Sequence, residues 1–513
     1  MDLFVTGNGQ VRGRRVGGGV VAVLGVPYAA PPFGGDRFKA PRAADGWRGV
    51  RECVSFGTIA PQSAVLPGTP AWSPGDEDVL SLNVWTGGDV DGRRPVLVWI
   101  HGGAYTFGSS AQPDFDATAL VEAGLVVVTL NYRLGFEGFG HLPDPTYPDN
   151  RGLLDQIAAL EWVRDNIAAF GGDPANVTVA GQSAGATSVA CLTVAKRARG
   201  LFHRAIAHSL VGPVYSRRLA AVTTRLVADA AGVPATVEGL TGASPYDLVR
   251  ASDQVVAHLR EDPSAGARHY DPVLYGPVAD GDLLPADPLA VDPADRAEVD
   301  LLVCHATEEF WLLDAVGSSK KVTTEAQLNT FARDFGLPDR LVAAYRALMP
   351  DASVLDVYLA IYGDMSFAEY SSRFAERHAR AGRRTYLSRF ARRRVTEGGV
   401  VHPWHCADIP FVFGTLDLPE LAFLIGGPPS AEDHELSRRM IRAWADFAAT
   451  GDPGWQPLGA ADEAGRAAGE AGTGAEASEA GTVRIWATGG TDGTTYGAFR
   501  AAWRTVDYAV VHP

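Results

Sequence analysis

The sequence predicts an α/β fold with a large, mainly parallel central sheet and helices on both faces. Two observations support this prediction. Short, continuous apolar runs recur along the chain, which is typical of strands buried on both faces of a parallel sheet. Segments with helical periodicity lie between these runs, for example at residues 154–167. Alternation of strand and helix indicates a layered α/β architecture.

Each predicted strand is followed by a turn-rich loop. The apolar runs lie at 95–100, 125–130, 177–180, 301–304 and 384–390. The loops after four of them contain the turn Gly102-Gly103, then Ser183, the pair Glu308-Glu309, and His402 with His405. Open α/β sheets place their sites beyond the C-terminal ends of the strands. We therefore expect these four loops to meet at one edge of the sheet.

The composition describes a large acidic chain. Its 513 residues are 46% hydrophobic and carry a formal net charge of −15, which argues against a nucleic-acid or anionic-membrane partner. The apolar runs are too short to span a bilayer, and no signal peptide is visible. We expect a cytoplasmic protein without a membrane partner, in one domain over residues 1–513, and either a monomer or a homodimer.

Two further features follow from composition. Residues 459–482 consist mostly of Ala, Gly and Glu and contain no large aliphatic or aromatic side chain, so we predict a disordered acidic surface insert. The four cysteines, Cys53, Cys191, Cys304 and Cys406, have no metal-site spacing. We expect free buried thiols and no metal, and we expect no catalytic role for Cys406 although it follows a histidine.

The most informative motif is Gly181-Gln182-Ser183-Ala184-Gly185. A β-branched strand segment precedes it and a segment able to form a helix follows it. A serine on such a sharp strand-to-helix turn needs small neighbours on both sides, and the turn exposes its hydroxyl to a substrate. The context therefore favours Ser183 as a nucleophile over a structural serine.

A nucleophilic serine needs a histidine base and a carboxylate that orients the histidine. In α/β-hydrolases these follow the serine in the order acid, then histidine. The loop after residues 384–390 offers His402 and His405, and chain order alone does not choose between them. Glu308 and Glu309 are the acid candidates, and Asp314 is the next.

Ester hydrolysis also needs hydrogen-bond donors for the developing oxyanion. The segment His101-Gly102-Gly103-Ala104 follows a predicted strand, and its small residues allow backbone amides to approach a substrate carbonyl. The amide of Ala184, directly after the serine, would supply a further donor.

Over nearly its whole length the chain resembles the type-B carboxylesterases, the group of cholinesterases and para-nitrobenzyl esterases. The resemblance rests on the strand-to-helix turn at residues 181–185, the elbow, and on these segments: Gly25-Val26-Pro27-Tyr28-Ala29, Glu77-Asp78-Val79-Leu80-Ser81-Leu82-Asn83-Val84-Trp85, Asn131-Tyr132-Arg133-Leu134-Gly135, Phe170-Gly171-Gly172-Asp173-Pro174 and Gly276-Pro277-Val278-Ala279-Asp280-Gly281.

The resemblance implies an α/β-hydrolase fold and assigns roles by position. Ser183 matches the family nucleophile, Glu309 the acid, and His405 the histidine of a His-x-x-Asp motif. The oxyanion donors would be the amides of Gly103, Ala104 and Ala184. The chemistry requires no cofactor.

The chain departs from the family pattern near the site. Gln182 stands where the family usually has Glu, which weakens the case for a cationic, choline-like substrate. Phe310 and Leu210 replace glycines and are expected to reshape the pocket. Trp72 lies near the position of a cation-binding tryptophan, so Gln182 and Trp72 are the candidate substrate-binding residues.

The family's first disulfide is also missing. Its two cysteines correspond to Ala60 and Val79, and loss of both suits a reducing cytoplasm.

The sequence thus predicts a serine carboxylesterase that hydrolyses neutral esters. An acyltransferase, thioesterase or amidase could use the same residues. A non-catalytic interaction protein is the alternative of another class, but such family members typically lack triad residues, and this chain keeps all three.

Overall fold

The structure is a computed structural model. It describes residues 2–63, 72–88, 92–271, 273–317, 319–397, 399–459, 483–488, 494–504 and 506. The predicted insert at 459–482 lies outside the described residues except for Gly459, and it stays a prediction.

A large sheet forms the centre of the described structure. Its ten strands are β1 (Arg14–Gly17), β2 (Val20–Pro27), β3 (Ser81–Thr86), β4 (Arg94–Ile100), β5 (Val126–Leu130), β6 (Gly172–Gln182), β7 (Arg204–His208), β8 (Asp300–Ala306), β9 (Thr385–Phe390) and β10 (Arg484–Trp486). Their order across the sheet is β10-β9-β8-β7-β6-β4-β5-β3-β2-β1. All five strands predicted from the sequence are present, and β6 begins earlier than its apolar run.

The strands from β10 to β5 are parallel, and β3, β2 and β1 continue the sheet as an antiparallel edge. Parallel neighbours end at the same edge of a sheet, so the loops after β4, β6, β8 and β9 emerge together. The predicted mainly parallel sheet is confirmed.

Helices cover both faces of this sheet, as the residues of β4 illustrate. Val98 and Ile100 belong to the apolar core that includes the helix Ala184–Val194, whereas Trp99 packs into the core on the opposite face. The helix Ala431–Thr450 lies in that second core. Alternate residues of one strand thus enter two different cores, which explains why the strand is apolar throughout.

The α-helices of the described residues are Thr118–Glu122, Gly135–Phe139, Arg151–Asn166, Ala184–Val194, Arg217–Ala231, Val237–Gly242, Pro245–Glu261, Ala267–Tyr270, Trp311–Ala315, Glu325–Asp334, Asp339–Leu348, Val354–Gly363, Glu369–Arg380, Ile409–Phe413, Ala422–Ile425, Ala431–Thr450 and Thr494–Trp503. A π-helical turn, Asp364–Ala368, joins two of them. Short 3₁₀ helices span Gly34–Asp36, Pro113–Phe115, Ile167–Phe170, Lys196–Ala198, Pro263–Ala265, Pro293–Asp295 and Pro419–Leu421.

Three small sheets complete the described structure. They are formed by Leu3–Thr6 with Gly9–Arg12 and Val50–Glu52, by Tyr215–Ser216 with Val278–Ala279, and by Arg394–Thr396 with Gly399–Val401. None of the described helices has the length and apolar character needed to cross a bilayer.

A buried ion pair fixes the loop after β5 to a helix. The guanidinium of Arg133 donates to both carboxylate oxygens of Asp155, at 2.8 and 2.6 Å, and neither side chain is exposed to solvent. The backbone amide of Arg133 donates to the same carboxylate at 3.0 Å. Both carboxylate oxygens of Asp155 thus accept hydrogen bonds, which offset the cost of burying its charge.

We expect Asp155→Asn to lower the free energy of unfolding by about 3 kcal/mol or more, because the charge of Arg133 would stay buried without its counter-ion. Equilibrium urea unfolding measures the loss. The control is Asp446→Asn, which removes an exposed i,i+4 pair with Arg442 and should cost less than about 1 kcal/mol. Equal losses in the two variants would show that burial is not the deciding factor.

Candidate active site

Ser183 lies on a strained turn between β6 and the helix Ala184–Val194. Its φ is 56° and its ψ is −122°, a backbone conformation that L-residues rarely adopt. The amide of Ser183 donates to the carbonyl oxygen of His208 at 2.9 Å, which ties the turn to β7. The elbow predicted from the sequence is therefore present.

The two glycines of the elbow have no room for a side chain. A Cβ on Gly181 would lie 2.5 Å from the carbonyl of Gly185. A Cβ on Gly185 would lie 2.0 Å from the carbonyl oxygen of Ile100, at the end of β4. The turn can close only because both positions are glycine.

The loops after β8 and β9 bring Glu309 and His405 together. Nδ1 of His405 lies 2.7 Å from Oε2 of Glu309. A carboxylate can only accept, so Nδ1 carries the proton, and in the neutral ring Nε2 remains a hydrogen-bond acceptor. This is the tautomer that a base acting through Nε2 requires.

The carboxylate of Glu309 is buried, and both of its oxygens accept hydrogen bonds. Only 2% of the residue is exposed. Its Oε1 accepts hydrogen bonds from the hydroxyl of Ser209, at 2.6 Å, and from the amide of Ala306, at 2.7 Å. These donors hold the carboxylate in one orientation.

The environment of His405 shifts its ionisation. Burial disfavours the charged ring, but the neighbouring Cys406 sulfur and the carboxylate of Glu309 outweigh burial and raise the pKa of His405 well above its ordinary value. The ring of Phe367 lies over the imidazole, with centroids 4.3 Å apart. That phenylalanine belongs to the π-helical turn Asp364–Ala368, and no sequence pattern indicates its contact with the histidine.

Glu308 takes part in a second, separate pair. Its carboxylate is bonded to Nδ1 of His402 and to the guanidinium of Arg393. The ring of His402 stacks on Trp311, with centroids 5.3 Å apart. The structure therefore pairs each acid with a different histidine, a distinction that chain order alone did not make.

Asp314, the third acid candidate, accepts hydrogen bonds from Ser319 and Lys321.

The amide of Gln182 lies between two side chains of the His405 loop. Its Nε2 is 2.9 Å from Nε2 of His405 and 3.1 Å from Sγ of Cys406. The expectation that Cys406 is a buried thiol is wrong. Cys406 is only partly buried, and its φ of 69° allows it to face the same amide as His405.

The Gly102-Gly103-Ala104 loop packs directly against the elbow. A Cβ on Gly102 would lie 2.8 Å from the carbonyl oxygen of Gln182 and 3.1 Å from Cβ of Ser183. Gly103 and Ala104 both have positive φ, at 111° and 50°. Within the described part of the chain, the amides of Gly103, Ala104 and Ala184 have no acceptor.

Phe310 and Leu210, which stand where the family has glycine, both have buried side chains. Phe310 stacks on Tyr362 with ring centroids 3.9 Å apart. Leu210 is fully buried, and its backbone amide donates to the hydroxyl of Ser371, in the helix Glu369–Arg380, at 3.0 Å. Their effect on the shape of the pocket stays a prediction, as does the role of Trp72, which is half-buried.

A third histidine–carboxylate pair lies behind the site. Nδ1 of His208 is 2.7 Å from Oδ2 of Asp408, and Nε2 accepts from the indole of Trp444 at 2.9 Å. His208, Asp408 and Cys304 are the one group among the described residues with a possible metal-ligand arrangement. Both ring nitrogens of His208 already have partners, so the cluster braces the His405 loop against β7.

Comparison with known proteins gives a consistent result. The profile of the carboxylesterase family matches residues 3–463. The para-nitrobenzyl esterase of Bacillus subtilis (strain 168) is 34% identical over 473 residues, covering 88% of this chain and 90% of that protein. The phenmedipham hydrolase of Pseudarthrobacter oxydans is 33% identical over 446 residues, covering 85% and 87%.

The fold agrees as well. The crystal structure of the Geobacillus stearothermophilus carboxylesterase EST55 at pH 6.2 superimposes with a TM-score of 0.80 at 33% identity, covering 98% of this chain and 100% of that one. With this fold and these relatives, the chain belongs to the carboxylesterase family and is an α/β-hydrolase that acts on carboxylic esters.

Proposed function

We propose that the chain hydrolyses small neutral carboxylic esters through an acyl-enzyme on Ser183, with His405 as the base and Glu309 as the acid of the triad. The observation that carries the proposal is the buried 2.7 Å contact between Nδ1 of His405 and Oε2 of Glu309, which puts the proton of the neutral ring on Nδ1 and makes Nε2 its acceptor nitrogen.

The reaction follows from these positions. Nε2 of His405 takes the hydroxyl proton of Ser183 while the serine oxygen attacks the ester carbonyl. Glu309 stabilises the imidazolium that forms. The proton then passes to the leaving alcohol, and a water molecule attacks the acyl-enzyme with His405 again as the base.

The amides of Gly103, Ala104 and Ala184 would bind the oxyanion of the tetrahedral intermediate. Their freedom from other acceptors supports this role, because a donor already bonded could not respond to the developing charge. The packing of Gly102 against Ser183 supports it further, since it brings the loop to the nucleophile.

Gln182 and Trp72 are proposed as substrate-binding residues, and the substrate is proposed to be uncharged. Gln182 offers a neutral amide where a carboxylate would attract a cation. We further propose a cytoplasmic location and a monomer or homodimer. The net charge of −15 supports a small-molecule ester, and no nucleic acid or membrane, as the partner.

We expect Ser183→Ala to abolish ester hydrolysis, with a loss of about a millionfold in kcat, as in a comparable serine hydrolase. Turnover of para-nitrophenyl acetate measures the loss, and covalent labelling by a fluorophosphonate probe should disappear with it. A folded variant that keeps more than a few per cent of the activity would exclude Ser183 as the nucleophile.

Glu309→Gln should lower kcat about ten-thousandfold, because the neutral amide can neither fix the tautomer of His405 nor stabilise its positive charge. Glu308→Gln is the matched control. Its carboxylate is bonded to His402 and Arg393 instead, so the loss should stay below about tenfold. The opposite ranking of the two variants would assign the acid to Glu308.

Neutral aryl or short-acyl esters should have a higher kcat/KM than choline esters of similar size. The reason is that the amide of Gln182 provides no charge for a quaternary ammonium group. Initial rates on phenyl butyrate and butyrylcholine test the expectation. A preference for butyrylcholine would contradict it and would direct attention to Trp72 as a cation-binding residue.

A further inference from the structure

The contact between Gln182 and the base is not part of the triad. The amide nitrogen of Gln182 lies 2.9 Å from Nε2 of His405, the atom that must receive the proton of Ser183. Gln182 is buried, and it is fixed in the sheet as the last residue of β6. A hydrogen bond to this nitrogen competes directly with the nucleophile.

Two acceptors determine which end of the amide faces the ring. Nδ1 of His405 donates to Glu309, so in the neutral ring Nε2 can only accept. Sγ of Cys406, at 3.1 Å, is the second acceptor. An NH₂ group has two hydrogens and can serve both atoms at once. The carbonyl oxygen of the same amide lies on the other side, near Gly102.

We propose that Gln182 is a positioning residue that opposes protonation of His405 at Nε2 between turnovers, with Cys406 fixing the amide so that its NH₂ end faces the ring. The proposal rests on His405 being the base of the proposed function. A donor aimed at Nε2 stabilises the neutral imidazole and opposes the imidazolium, whose own N–H would face the amide hydrogens.

The other groups around the ring define the background for this effect. Glu309 faces Nδ1 from the loop after β8, Cys406 comes from the ring's own loop, and Phe367 covers a face of the ring without charge. Among the described residues, titratable groups on neighbouring elements have partners of their own: His208 with Asp408, Glu308 with His402 and Arg393, and Asp364 of the π-helical turn with Tyr345. Glu309 and Cys406 favour the protonated ring, and Gln182 acts against them.

The test is the acid limb of the kcat/KM profile, which reports the ionisation of the free enzyme. Neutral His405 is the active form, so activity is lost as pH falls. At a pH on this limb, the measured quantity is the fraction of the plateau kcat/KM that remains. In Gln182→Met this fraction should be about fivefold lower than in the unmodified protein, the effect of one lost hydrogen bond. Gln182→Glu should reduce the fraction at least about tenfold, because a carboxylate beside Nε2 stabilises the imidazolium.

The methionine variant separates the proposal from its rival. If the carbonyl oxygen of Gln182 faced the ring instead, the amide would stabilise the imidazolium, and Gln182→Met would extend activity to lower pH. That result, or an unmoved limb, overturns the proposal. Should the methionine variant fail to fold, Gln182→Ala removes the same amide and carries the same expectation.

Gln156→Met is the control, because it removes another buried glutamine amide, one that donates to the hydroxyl of Ser188. Its acid limb should coincide with that of the unmodified protein.

A second readout does not depend on turnover. In protein labelled with ¹⁵N-histidine, the ring signals of His405, assigned by their loss in His405→Asn, can be titrated directly. They should show the proton on Nδ1 above the limb and protonation of Nε2 at a higher pH in Gln182→Met than in the unmodified protein. If the chain hydrolysed no ester, the proposed function would fail, and this titration would still decide the role of Gln182.

Discussion

The site depends on one hydrogen bond between a buried carboxylate and a buried imidazole. The carboxylate of Glu309 has three hydrogen-bond donors, and each comes from a different part of the fold: the end of β8 supplies an amide, the loop after β7 supplies Ser209, and the loop after β9 supplies His405. Three neighbouring strands must therefore end at the same level. The parallel register of β7, β8 and β9 provides that arrangement.

A backbone constraint on β6 complements this interaction. The elbow requires a positive φ at Ser183 and close contact between Gly185 and Ile100 at the end of β4. Because β4 and β6 are adjacent parallel strands, the Gly102-Gly103-Ala104 loop follows the contact directly. Ser183 and the amides beside it are thus positioned by one set of backbone contacts, and Glu309 and His405 by hydrogen bonds across the next three strands.

The sequence predicts the parts of this site that local patterns encode. Ser183 lies between a strand and a helix with glycines at the required spacing, and the apolar runs predict the sheet edge at which the loops meet. The resemblance to a known family selects Glu309 over Glu308 and His405 over His402. In the structure, these two form one pair and Glu308 with His402 forms another.

Contacts between residues far apart in sequence could not be predicted in the same way. The contact of Gln182 with both His405 and Cys406 depends on the positive φ of Cys406, which no sequence pattern indicates for a cysteine. Phe367 reaches the imidazole from a helix more than 35 residues before it in the chain. No sequence pattern indicates the π-helical turn in which Phe367 lies.

Because of the change of winding at this π-helical turn, the number of residues in the helical segment determines which side chain contacts the imidazole of His405. The π-helical turn Asp364–Ala368 continues the helix Val354–Gly363 into Glu369–Arg380 with one turn wound more widely than its neighbours. Each residue of an α-helix advances the next side chain by about 100°. Removing a single residue here would turn Phe367 away from the imidazole, or else rotate Ser371 away from Leu210. Insertions and deletions at this turn are therefore more severe changes than substitutions, because they alter which face of a whole helix packs against His405.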